Sequence, residues 1–244
     1  IFGTDGIRGI PNHEPLTMEN ILELGRTLGY LFRDVDKHKG KILIGRDTRS
    51  SGYMIELALG AGLSSMGVDV VFVGALPTPA IAFLTKDMRA DAGVVISASH
   101  NPYTDNGIKI FNKDGFKLSD EMEHRIEKLM FSEELKKAYG APEKLGTVRD
   151  LNDAGSRYVV FAKETFPKDL TLNGKKIVLD CANGAAFDVG PAVLKELGAE
   201  LIITGDEPNG ININDKCGAL HPKNIEELVI KHKADMGITL DGDA

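Results

Sequence analysis

The sequence has 244 residues, enough for one large domain or two small ones, each with its own core. Hydrophobic residues make up 42% and charged residues 27%, and the net charge of −7 leaves no general basic footprint for nucleic acid. No stretch approaches the roughly 20 apolar residues that span a bilayer, so neither nucleic acid nor membrane is an expected partner. An anionic ligand must be held by local Arg and Lys. The cysteines, Cys181 and Cys217, lie outside any CxxC pair and read as reduced, buried thiols of a cytoplasmic protein. The opening FGTDGIRG lacks the apolar run of a signal peptide. The missing initiator Met, and an end at Ala244 just after an apolar strand, lead us to expect a longer parent protein.

Phe2–Gly9 is rich in glycine and carries Thr4, Asp5 and Arg8. It reads either as a plain N-terminal turn or as backbone that approaches a ligand closely, with Arg8 gripping a phosphate. Thr17 is placed to cap a helix through about Phe32, with Ile21, Leu24, Leu28 and Leu31 at helical spacing. A strand over Lys41–Ile44 ends at Arg46-Asp47-Thr48-Arg49. Ser50 or Ser51 then caps a helix over Tyr53–Met66, Gly67 stops it, and Asp69–Val73 forms the next strand. That is one β-α-β unit with a parallel pair. Loops after such strands hold ligands in α/β folds, so Arg46 and Arg49 are either phosphate-facing groups or salt-bridge partners of the adjacent Asp47. Pro77-Thr78-Pro79 introduces a short helix ending near Lys86.

The stretch Gly93–Phe111, GVVISASHNPYTDNGIKIF, holds the densest chemistry. Gly93–Ile96 is a buried strand. Ser97, Ser99, His100 and Asn101 follow at its end, and Pro102 breaks regular structure. Asp105-Asn106-Gly107 signals a turn, and Ile108–Phe111 resumes as a strand with Lys109 on the face opposite Ile108 and Ile110. The return is hairpin-like, so this sheet should be mixed. The residues alone fit a nucleophile site or a polar loop with a capping serine.

Leu118–Met130 reads as a helix capped by Ser119, Phe131–Gly146 as a solvated helix and loop, and Leu151–Phe166 as a bridging helix. We therefore expect domains at 1–150 and 151–244. The second repeats the first by pattern: KILIGRDTRSS, helix, Gly67, VDVVFVG against KKIVLDCANGAA, helix, Gly198, AELIITG. Pro208–Leu220 is a polar Asn/Gly loop expected to line the cleft between domains. Pro222 starts a helix to about His232, and the strand Met236–Leu240 delivers Asp241 and Asp243 into a turn. Two aspartates around a glycine are either a solvated turn or hard oxygen ligands suited to Mg²⁺. The remaining histidines show no metal-ligand spacing.

SASHNP with DNGIKIF resembles the phosphoserine loop of the α-D-phosphohexomutases. FGTDGIRG, GRDTRSSG and LDGDA resemble further stretches of that family, in the same order over the whole chain. DCANGA at Asp180–Ala185 and GININDKCGALHP at Gly210–Pro222 are most similar to the branch that handles glucosamine phosphates. The resemblance implies two similar α-β-α sandwich domains with mixed sheets, the first two of four. It also implies a mutase exchanging the 6- and 1-phosphates of glucosamine through glucosamine 1,6-bisphosphate, toward UDP-N-acetylglucosamine and peptidoglycan precursors.

Under it Ser99, rather than Ser97, carries the phosphate, and Arg8 lies near the transferred group. Lys109 is acid/base or charge stabiliser, its amine tuned by neighbouring cations. His100 shuttles protons or braces the loop, Thr4 and Asn101 adjoin the substrate, and Ser99, Asp241 and Asp243 hold Mg²⁺. The family pattern adds an Asp two residues beyond Asp243, then an Arg, along with sugar-reading and distal phosphate-clamping domains. The chain carries none of these, so little turnover is expected of it alone. The alternatives are a mannose or glucose phosphate mutase, and a non-catalytic piece that binds sugar phosphate or a partner chain. Exposed helices of the first domain offer a surface for a homodimer.

Overall fold

The computed structural model describes residues 1–3, 5–33, 38–139 and 141–244. Its central sheet has six strands in the order β1-β5-β4-β2-β3-β6. These are β1 (Ile7–Gly9), β2 (Lys41–Arg46), β3 (Asp69–Ala75), β4 (Ala92–Ile96), β5 (Asn106–Asn112) and β6 (Val148–Asp150). Alternation along the strands sorts their side chains to two faces. Ile42, Ile44, Val70, Val94 and Ile96 join one core cluster, and Leu43, Val71, Val73 and Val95 join the other. Burial of each such side chain contributes roughly 1.5–3 kcal/mol.

The first face is covered by α1 (Met18–Phe32), α2 (Ser51–Ser65) and α4 (Asp120–Leu129), which supply Ile21, Leu24, Leu28, Ile55, Leu59, Leu63 and Ile126. Thr17 caps α1, its Oγ1 accepting from Asn20 N at 3.3 Å, and Ser119 caps α4 by accepting from Met122 N at 3.4 Å. Neither Ser50 nor Ser51 caps α2 through its side chain: Ser50 is the N-cap without a side-chain bond, and Ser51 Oγ accepts from Asn106 Nδ2 at 2.8 Å. Helices α1 and α2 touch backbone to backbone. A Cβ on Gly62 would lie 2.8 Å from Arg26 N, and one on Gly25 would lie 2.6 Å from Leu59 O.

The second face carries α3 (Thr78–Asp87) and α6 (Ala154–Glu164). Helix α5 (Glu133–Lys137) and a 3-10 turn at Pro142–Lys144 fill the stretch read as solvated helix and loop. The antiparallel β4–β5 pairing, Ile96 opposite Ile108, makes this sheet mixed, as expected. Asn106 and Gly107 are already inside β5, so the turn lies earlier, closed by Asp105 N donating to Pro102 O at 3.1 Å.

A second sheet, order β8-β7-β9, is built from β7 (Lys176–Asp180), β8 (Glu200–Thr204) and β9 (Met236–Thr239). Its three strands are all parallel. Helix α7 (Val189–Glu196) lies on the Leu179 face, and α8 (Pro222–His232) on the opposite, Gly237 face. The repeat read from the sequence extends to hydrogen bonding. Asp47 Oδ1 accepts from the backbone N of Arg49, two residues on, at 2.9 Å, and Asp180 Oδ1 accepts from Ala182 N at 2.9 Å. Each carboxylate turns the chain at the carboxyl end of its strand. Ala186 and Val189 from the second unit sit in the same core cluster as Leu43 and Val95, so one apolar seam joins the two sheets.

Candidate active site

Both sheets direct the carboxyl ends of their parallel strands toward one place, where open α/β sheets bind ligands. From β4 comes the loop Ser97–Asn101. From β2 come Asp47, Thr48 and Arg49, and from β9 come Asp241 and Asp243. The central contact joins the halves: Ser99 Oγ donates to Asp241 Oδ2 at 2.5 Å.

Ser99 stands at φ +52°, the left-handed region that non-glycine residues seldom adopt. Its N–H donates to Ser97 Oγ at 2.9 Å, and Ser97 Oγ in turn donates to Asp47 Oδ2 at 2.6 Å. Ser97 is fully buried. It therefore shapes the loop, while Ser99 presents its hydroxyl to the second half. Asp47 also accepts from Arg49 Nη1, an ion pair with both side chains at 0% exposure. Burial pushes the Asp47 carboxyl up from its ordinary value, opposed by the Arg49 charge and the Ser97 and Arg49 hydrogen bonds. Arg49 thus fits the salt-bridge reading. Arg46 pairs instead with Glu56, its Nε 3.3 Å from Oε2, and its guanidinium lies over the Tyr53 ring. The Ser99 and Asn101 carbonyls accept from Arg49 Nη2 at 3.2 and 2.5 Å, and from Asn214 Nδ2 at 2.9 and 3.1 Å.

Cations arrive from the N-terminal strand and from β5. Arg8 Nη1 donates to Ala98 O at 3.1 Å and Nη2 to Asp5 Oδ2 at 2.8 Å. Lys109 Nζ lies 3.0 Å from the same Asp5 oxygen and 3.6 Å from Asp243 Oδ2. The sequence led us to expect cations beside Lys109; its nearest charged partners are these two carboxylates. Burial works to raise the Asp5 pKa, but Lys109 and Arg8 outweigh it and hold the carboxyl below its usual range. Asn101 is fixed by Nδ2 donating to Asp105 Oδ2 at 2.8 Å. His100 is exposed and makes no bracing hydrogen bond among the described residues. Thr4 lies outside the described residues.

The Asp241–Asp243 turn is locked by close backbone contact. A Cβ on Gly242 would stand 2.5 Å from Ser99 O and 2.8 Å from Asn214 Nδ2, so only glycine lets this turn dock. Gly242 O accepts from Ala185 N at 2.9 Å. Asp243 accepts from Thr78 twice, Oδ2 from Oγ1 at 2.7 Å and the main-chain O from Thr78 N at 2.9 Å. Among the described residues no group of three His, Cys, Asp or Glu side chains could hold a metal ion. The Ser99 hydroxyl meets the Asp241 carboxylate, and the Asp243 carboxylate leaves the same turn, held by Thr78 Oγ1 and 3.6 Å from Lys109 Nζ. These hard oxygens fit Mg²⁺, which takes few protein ligands and keeps water and phosphate in its shell. Burial pushes the Cys181 thiol to about 12 and Cys217 to about 11, so neither competes as a metal-binding thiolate near neutrality.

Sequence reasoning missed Thr78, Asn214 and Asp5 as parts of this cluster. Thr78 sat in a Pro-Thr-Pro break and Asn214 in an Asn/Gly loop, where such residues need no further explanation. The Pro208–Leu220 loop does line the junction: besides Asn214, Gly210 O accepts from Ser50 N at 2.9 Å.

Residues 1–137, more than half of the chain, match the family described as phosphoglucomutase/phosphomannomutase, alpha/beta/alpha domain I. The chain belongs to this family. Over all 244 residues it is 60% identical to the phosphoglucosamine mutase of Geotalea uraniireducens and 57% identical to that of Syntrophotalea carbinolica, spanning 54% and 53% of those proteins. It thus spans about half the length of the curated relatives it matches. A phosphoglucomutase/phosphomannomutase family protein from Burkholderia thailandensis superposes over the whole chain with TM-score 0.79 at 26% identity, the match covering 52% of that structure. With this family membership, the α/β architecture read from the sequence has its counterpart among phosphohexomutases.

Proposed function

We propose that the chain supplies the phosphoserine half of a phosphoglucosamine mutase, an isomerase exchanging glucosamine 6-phosphate and glucosamine 1-phosphate. Residues 1–150 and 151–244 are its first two domains. The observation that carries this reading is the Ser99 Oγ–Asp241 Oδ2 contact of 2.5 Å. It supports this reading by joining a strand-end hydroxyl to a carboxylate from the other half of the chain, while Arg8 binds the neighbouring Ala98 carbonyl and Lys109 lies 3.6 Å from Asp243 Oδ2. The names of relatives at 57–60% identity support the choice of sugar.

In this reading Ser99 rests as a phosphoserine. A hydroxyl of the phosphosugar gives up its proton and attacks phosphorus in line, the bond to Ser99 Oγ breaks, Oγ takes up a proton in return, and the sugar becomes glucosamine 1,6-bisphosphate. Asp241 Oδ2 then takes the hydrogen bond of the freed Ser99 hydroxyl. The bisphosphate turns round and returns its other phosphate to Ser99. Arg8 and Lys109 offset charge on the phosphoryl oxygens, and the phosphate that enters between them displaces Asp5 as their partner. Ser99, Asp241 and Asp243 would hold Mg²⁺, which supplies charge neutralisation at phosphorus. Exposed His100 is free to exchange protons with the sugar, and Asn101 borders the same cleft. Reading of the sugar and of its distal phosphate belongs to the rest of the longer protein. The two free thiols, buried Cys181 and half-buried Cys217, accord with a cytoplasmic setting.

The test is intact mass with phosphopeptide mapping, before and after exposure to glucosamine 1,6-bisphosphate, in the native chain and in Ser99→Ala. Phosphate on Ser99, lost in the variant, is the expected result. Phosphate on Ser97, or none in the full-length protein, rejects the proposal. Rates with glucosamine, mannose and glucose 6-phosphates then decide the sugar.

A further inference from the structure

The Ser99 loop is held by more than the hydroxyl contact. Its N–H is bound by Ser97 Oγ, and its carbonyl, with that of Asn101, accepts from two nitrogens on opposite sides of the junction. One is Arg49 Nη2, locked within the first half by Asp47. The other is Asn214 Nδ2, from the second half. Two carbonyl oxygens can be met only by the NH₂ of that amide, because its oxygen in the same place would repel both.

Asn214 is itself fixed. It is 9% exposed, stands at φ +58°, and donates its backbone N–H to Ala182 O at 2.9 Å. The left-handed turn at Ser99 persists only where surrounding groups over-determine it. That turn is what aims Oγ at Asp241. We infer that Asn214 is a positioning residue for phosphoryl transfer: its amide clamps the Ser99 and Asn101 carbonyls and so sets the nucleophile's direction when the two halves are seated together. This rests on the reading of Ser99 as the phosphoryl acceptor. Among the described residues Asn214 is the one side chain of the second half that donates to the main chain of this loop.

Two variants of the full-length protein test it. Asn214→Asp keeps the shape and the tolerance of positive φ but turns the donor into an anionic oxygen, and Asn214→Gly suits the backbone and removes the side chain. Hydrogen exchange over residues 97–107 should quicken by about tenfold in both, with the β2–β3 strands unchanged. The rate at which glucosamine 1,6-bisphosphate loads phosphate onto Ser99 at saturation should fall by about tenfold or more, with the half-saturating concentration within about twofold of wild type. A role confined to stability would quicken exchange everywhere, the β2–β3 strands included, and leave the loading rate per folded molecule intact. Unchanged loop exchange in both variants overturns the inference, as does a loosened loop that loads phosphate at the wild-type rate. A wild-type protein that takes no phosphate while its variants still loosen the loop rejects the phosphoserine reading and leaves the clamp standing.

Discussion

Thr78 and Asp243 meet across the two sheets through side chain and main chain together, Oγ1 to Oδ2 at 2.7 Å and N to O at 2.9 Å. Thr78 is the first residue of α3 and Asp243 follows β9, so a helix start in one half receives a carboxylate from the other. The hydroxyl fixes which way Asp243 turns its oxygens.

Thr78→Val removes that hydroxyl at nearly constant shape and leaves the backbone bond. In the full-length protein it should weaken Mg²⁺ binding, measured by calorimetry, by roughly tenfold, the usual scale for a lost supporting partner. Thr78→Ser should restore it. Equal affinity in the Val variant would remove Thr78 from the site.

Asp47 and Ser97 should separate in cost. Asp47→Asn leaves the Arg49 charge buried and uncompensated, a loss of about 3–5 kcal/mol, or a fall in Tm of about 10 °C for a chain of this size. Ser97→Ala removes one donor to Asp47 and one acceptor for Ser99 N, and should cost about 1–3 kcal/mol. Thermal melts that rank them the other way would mean the Asp47–Arg49 pair does not anchor the loop.

Asp69 offers a pH test away from the site. Its Oδ1 accepts from Thr147 N at 2.7 Å and Thr147 Oγ1 at 2.8 Å, with Lys39 Nζ 2.6 Å away. Burial works to raise its pKa, but Lys39 and Thr147 outweigh it and hold the carboxyl below 3.8. A depressed carboxyl contributes stability in full above its unfolded pKa, and that contribution is lost as pH falls through the folded one. The stability gap between wild type and Asp69→Asn should therefore be constant above about pH 5 and close below about pH 4. A gap that widens on acidification would contradict the assignment.

Gly62→Ala sets two effects against each other. Alanine favours a helix over glycine by about 1 kcal/mol. Its Cβ would collide with the Leu22 carbonyl and lie 2.8 Å from Arg26 N, and backbone cannot yield as a side chain tip does. Overpacking costs about 1–3 kcal/mol, so the crowding should win and urea denaturation should show a net loss. A stabilised variant would mean that α1 and α2 can move apart at little cost.

What the sequence disclosed follows from where its signals were local. The strands of both β-α-β units announced themselves as short apolar runs, and Gly67 and Gly198, at φ +98° and +99°, marked the helix ends. Strand β1 was not legible because Ile7-Arg8-Gly9 carries one apolar residue; it is a strand by pairing with β5, a hundred residues on. Strand β6 is exposed throughout and has no burial pattern to read. The Ser99 loop was visible as a motif, whereas Thr78 and Asn214 take their places from partners 165 and 115 residues away. Polar residues in turns carry no periodic signal of such partners.

The junction also imposes an order in time. Ser99 and Asp241 are separated by 142 residues, and a ribosome adding about 5–20 residues per second needs about 7–28 s to cover that span. The first sheet can assemble while Asn214 and the Asp241–Asp243 turn are still unmade. A newly made chain can therefore pass through an interval with its strands in place and its Ser99 loop held from one side only, by Arg49 and Ser97, and the Ser99 hydroxyl meets Asp241 only once the second sheet docks.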